Sequence, residues 1–168
     1  MNTLVKALLL SAALLVANAY APAAAAAPLS DAAALHGQHE AKAVFMIDVN
    51  DPRKLGHVLK VIEETDTGLV RQHVTPHLVV TVIGPAVAFV TKDRRGIPYM
   101  EQSAVAHVQG ELAKLHGMGV RLEACGVALQ GMDLKPEDVI SIVHPVGNGY
   151  ISAIGYQAQG YALVPVYY

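Results

Sequence analysis

Apolar and polar positions alternate along this chain between two periods, and the alternation predicts its elements. Lys42 to Val49 is a short, nearly unbroken apolar run rich in branched and aromatic residues, the pattern of a strand covered on both faces. Asn50-Asp51-Pro52 follows as a helix start, a polar cap with proline in the first turn. Leu55, Val58, Leu59 and Ile62 then repeat at helical spacing and place one apolar stripe on that helix. A second strand pattern spans His77 to Ile83 and stops at Gly84-Pro85, with the apolar stretch Ala86 to Val90 after it.

The same rhythm continues to the C-terminus. Ser103 to His116 reads as a long helix carrying Val105, Val108, Leu112 and Leu115 on one side, with Gly117 and Gly119 placed to end it. Val120 to Ala124 is a third strand, half-polar and so expected toward an edge of the sheet. Gly126 to Gln130 reads as a short helix, Ile140 to Val143 as a fourth strand, and Gly147-Asn148-Gly149 as the opening of a last helix that Gly160 closes before a final strand, Tyr161 to Val166. Strands alternating with helices predict an α/β fold, a mostly parallel five-stranded sheet with helices on both faces.

The first residues follow a different pattern. Lys6, a mostly apolar run from Ala7 to Ala17 and the small residues Ala17-Asn18-Ala19 have the three-part layout of a signal peptide. The apolar core is shorter than the ~20 residues that span a bilayer, so cleavage is expected, after Ala19 or as late as Ala26. Residues 20–40 then form a disordered Ala/Pro-rich leader, and residues 41–168 one domain. The expected location is the periplasm, with no membrane association after cleavage.

A net charge of −2 and a pI near 6.4 give no electrostatic footprint for nucleic acid. Lys92-Asp93-Arg94-Arg95, interrupted by an acid, reads as a solvated loop. The eight histidines raise the question of metal, but Pro76 between His73 and His77 keeps that pair off a common helical face, and His36 and His39 lack a third ligand. No metal site and no cofactor are expected. The sequence also lacks a Gly-x-Ser-x-Gly elbow, a Walker loop and a GxGxxG fingerprint.

One cysteine, Cys125, cannot form an internal disulfide; it is buried and inert, paired with another chain, or reactive. Ligand sites of open parallel sheets lie outside the carboxyl ends of the strands. Asn50, Gly84, Pro85, Cys125, Gly126, His144, Gly147 and Gly149 are expected to collect there. Cys125 also stands at a helix start, where unpaired amides favour a thiolate. The opposing reading is a small apolar side chain filling that junction. His144 is a candidate proton partner, or a polar loop residue.

These residues carry a resemblance. Val82-Ile83-Gly84-Pro85-Ala86, Gly119-Val120, the block Ala124-Cys125-Gly126-Val127-Ala128-Leu129, and Gly155 to Tyr161 with Gln157 and Gln159-Gly160-Tyr161 occur in the order seen in the DsrE/DsrF-like family, which includes YchN-like proteins and sulfur-relay subunits. The resemblance implies a flavodoxin-like fold and a homo-trimer or homo-hexamer. It also implies a persulfide on Cys125, passed between a sulfur donor and an acceptor protein. An exported chain departs from the cytoplasmic relays and would need a different donor and acceptor. A non-catalytic binding module with a buried structural Cys125 is the alternative.

Overall fold

A computed structural model describes residues 29–167. The chain divides into two units, Met1–Asp31 and Ala32–Tyr168, and the second contains all the elements described here. The expected signal peptide lies outside the described residues. Within the span expected as leader, Ala32–Leu35 is a helical turn (α1) and Glu40 already opens the first strand.

Five parallel strands form the sheet: β1 (Glu40–Asp48), β2 (Thr75–Ile83), β3 (Arg121–Cys125), β4 (His144–Val146) and β5 (Ala162–Tyr167), in the order β4-β3-β2-β1-β5. The helices are α2 (Pro52–Arg71), α3 (Gln102–Gly117), α4 (Gly126–Gly131) and α5 (Gly149–Ala158). Asp51 caps α2 by accepting the Arg53 amide at 2.8 Å, and Pro52 occupies the first turn. Gly84–Val90, expected only as an apolar stretch, is a 3-10 helix.

Topology decides which face each helix covers. Stepping from β1 to β2, β3 and β4, the chain always moves toward the same edge, so right-handed crossovers put α2, α3 and α4 on one face. The step from β4 to β5 runs back across the sheet and carries α5 to the opposite face. The first face holds the main core, where Ile47, Leu59, Ile62, Leu112 and Leu122 are at most 1% exposed. The second is thin: Met46, Ile83 and Cys125 meet Ala153 of α5.

One strand expectation changes and another gains a different cause. The third strand does lie toward an edge, one place in from β4 and between it and β2, but its polar residues have another cause, given below. The fourth strand is His144–Val146 rather than Ile140 to Val143. The Ile140 amide donates to the Val90 carbonyl and the Val143 amide to that of Ile140, which folds the run into a turn whose apolar side chains pack on the main core. Proline is tolerated at position 145 because β4 is an edge strand.

Leu112, fully buried between α3 and the sheet, tests this core. Urea unfolding of Leu112→Ala should show a loss of about 2–5 kcal/mol; a change within ~0.5 kcal/mol, as at surface positions, would contradict the packing described.

Candidate functional site

The carboxyl ends of the strands bring most of the predicted residues to one end of the sheet. Cys125 closes β3 and is the N-cap of α4. Gly149 starts α5, and its amide donates to Cys125 Sγ at 3.2 Å. Cys125 is 3% exposed. Close approach explains the glycine at 149: a Cβ there would sit 2.8 Å from Ile83 Cγ2 and 3.2 Å from Cys125 Cβ. Gly126 is similarly confined, a Cβ meeting the Val146 carbonyl at 2.8 Å.

The remaining predicted residues sit around this contact. Gly84 has a φ of +53°, and the space of its missing Cβ is occupied by Asp48 Oδ1, so any other residue would be strained as well as obstructed. Asn50, Pro85 and Gly147 are exposed at the strand ends. Gly126 lines a groove of about 490 Å³ with Gln130, Asp133, Leu134 and Lys135. His144 departs from expectation. It is the first residue of β4, exposed, and pairs with Glu123 instead of Cys125, which leaves it about 7 Å short of the thiol along the strand. Among the described residues, no hydrogen bond joins it to Cys125.

Sequence reasoning missed the polar centre of this face. Glu123, two residues before Cys125 and on the same side of β3, is 2% exposed. Its Oε1 accepts Arg121 Nε at 2.7 Å and the Tyr156 hydroxyl at 2.8 Å. Its Oε2 accepts the Ser152 hydroxyl and, at 3.4 Å, that of Thr81. The signal was the alternation Arg121, Glu123, Cys125, which sets three polar or reactive residues on one face, joined to Ser152 and Tyr156 one helical turn apart.

Electrostatics follow from these contacts. Burial pushes the Glu123 carboxyl up, but the hydrogen bonds from Ser152, Arg121 and Tyr156 outweigh it and hold the group below its ordinary value. Tyr156 is raised to about 12, by burial first and then by its bond to the Glu123 carboxylate. The magnitudes decide what holds α5. Its buried residues are Gly149 and Ala153, and one buried methyl is worth about 0.8 kcal/mol. Each hydroxyl donating to a charged carboxylate contributes about 1.5–3 kcal/mol, so each Glu123 bond outweighs the Ala153 methyl, with the Tyr156 ring against Tyr161 adding to the packing. Among the described residues, no group of three or more His, Cys, Asp or Glu is placed to hold a metal.

Fold and site together define a class: an open, flavodoxin-like parallel α/β sheet with a cysteine at the strand-end, helix-start position. A family model for the DsrE/DsrF-like family matches residues 12–166, and the chain belongs to that family. An uncharacterized protein from Aquifex aeolicus is 29% identical over 125 residues, 74% of this chain and 55% of the relative, so the chain spans about half the length of that curated relative. Two solved structures share the fold. A protein of unknown function from Methanobacterium thermoautotrophicum has a TM-score of 0.59 at 20% identity, over 74% of this chain and 98% of that one. The ychN protein from E. coli has a TM-score of 0.56 at 15% identity, over 76% and 99%.

The pH dependence has a definite sign. A lowered Glu123 pKa contributes stability that is present above the unfolded carboxyl's value and lost as pH falls through the folded one. The raised Tyr156 contributes stability that is present below the unfolded phenol's value and lost as pH rises through about 12. The stability gap between wild type and Glu123→Gln, measured by urea unfolding, should therefore be widest near neutrality and shrink in acid. A gap that widens on acidification would contradict the assignment.

Proposed function

We propose that this protein is an exported, homo-oligomeric sulfur carrier that accepts sulfane sulfur on Cys125. Family membership supports sulfur-relay chemistry in general, and the single observation that carries the assignment to Cys125 is its setting. The sulfur stands at a helix start with the Gly149 amide donating to it, a contact suited to a sulfur anion. In the proposed step the Cys125 thiolate attacks the outer sulfur of a donor persulfide, forming a new S–S bond as the donor's S–S bond breaks and the donor thiolate leaves. An acceptor thiolate then attacks the outer sulfur on Cys125 and restores the starting thiolate, so the cycle is redox-neutral. His144, exposed and paired with Glu123, has no part in it.

Export rests on the N-terminal pattern of Lys6, the apolar run and the small residues before Tyr20. Assembly is supported by exposed apolar side chains on α5, Tyr150, Ile151 and Ile154. A second reading is favoured by one observation: at 3% exposure, packed among Met46, Ile83 and Ala153, Cys125 also suits a structural role in a non-catalytic binding module.

Intact-mass measurement after treatment with inorganic polysulfide separates the two. The sulfur-carrier reading predicts an adduct of about 32 Da, one sulfur atom, that a thiol reductant removes and Cys125→Ser abolishes. No adduct on the native protein, or one that survives Cys125→Ser, contradicts it. Expressed from the full chain in a Gram-negative host, periplasmic protein should begin at Tyr20, or at Ala27 for the later cut; product retained in the cytoplasm with Met1 intact would refute export.

A further inference from the structure

We propose that Glu123 is a positioning residue: it clamps α5 closed over Cys125, and release of that clamp is what opens the thiol to a sulfur donor. The purpose of the clamp rests on the sulfur-carrier reading above; its existence does not.

The contacts form a continuous path. Glu123 and Cys125 are two residues apart on the same face of β3, and α5 touches both. Ser152 and Tyr156, spaced by four residues and so on one side of the helix, both donate to the Glu123 carboxylate. Seven residues before Tyr156, about 10 Å along the helix, Gly149 seats against Cys125 Cβ and gives its amide to Sγ. One end of a short rigid rod is thus held by Glu123, and the other covers the sulfur.

Apart from the Tyr156 ring against Tyr161 and the small cluster around Ala153, apolar packing on the rod is slight. Tyr150, Ile151 and Ile154 are 58%, 67% and 64% exposed, and only Gly149 and Ala153 of the helix are buried. Arg121, beside α5 in a groove it shares with Ser152 and Tyr156, donates to Glu123 with its own side chain half exposed and balances the carboxylate's charge. The carboxylate has all its partners, so its role is attachment and not ligand capture. Glycines flank α5: Gly147 precedes it, exposed, and Gly160 follows it with a φ of +86°.

Access to the sulfur can be read directly from the rate at which iodoacetamide alkylates Cys125 in the full protein near neutral pH, at urea concentrations below the unfolding transition. Glu123→Gln should label about tenfold faster than wild type or more, the factor expected for loss of a charge-assisted bond. That excess should be nearly flat in urea, because detaching one short helix exposes little surface. Tyr156→Phe and Ser152→Ala should each show a smaller rise of the same kind. Leu112→Ala, in the opposite core, is the comparator: its labelling should climb steeply with urea, as opening by global unfolding requires.

Glu123→Gln labelling at the wild-type rate while folded, or with the steep urea slope of Leu112→Ala, would overturn the clamp. Should Glu123→Gln fail to fold, Tyr156→Phe decides by the same two criteria. Alkylation needs no sulfur chemistry, so the two readings fail separately. Fast, urea-flat labelling without a polysulfide adduct sinks the carrier and keeps the clamp, whereas an adduct with unchanged labelling does the reverse.

Discussion

A carboxylate as buried as Glu123 is costly to keep unless its charge is balanced and its lone pairs are filled; removing one partner of a buried pair costs several kcal/mol. Here the balance comes from Arg121 and the filling from Tyr156, Ser152 and Thr81. Two of those four donors lie on α5, so the helix cannot leave the sheet without leaving the charge unsatisfied. The second face of the molecule, with its small apolar cluster, depends on that constraint more than on packing.

Topology creates the situation. The strand order sends every crossover but one to the same side, so a single ten-residue helix must cover the other. A helix with an apolar stripe buried as deeply as that of α2 would be fixed by its core contacts. α5 instead keeps large apolar side chains turned outward and is fastened through polar groups. The site inherits this asymmetry, since the thiol lies under a lightly packed helix while its strand is anchored by the core on the opposite face.

Most of the fold was legible because buried parallel strands and amphipathic helices have distinct periods. Lys42 to Val49, His77 to Ile83 and Ser103 to His116 all became elements within two residues of the expected limits. Ile140 to Val143 misled because apolar content alone does not separate a strand from a turn packed on the core; their amide bonds to Val90 and Ile140 decide it. Cys125, Gly126 and Gly149 were legible as a strand-end group, as the glycines' missing Cβ atoms now explain. His144 was misplaced together with its strand. Glu123 was not singled out, because charged residues in a half-polar strand read as placement toward an edge and not as a buried network. Its partners on α5 are about thirty residues away in sequence, and only the crossover of the chain brings them to it.

Amide hydrogen exchange of α5 tests the role of Glu123 most directly. The account predicts that Glu123→Gln speeds exchange throughout α5, the Gly149 amide included, while α2 and α3 keep wild-type protection. Unchanged protection across α5 in a folded variant, or a uniform loss in all helices, would contradict it.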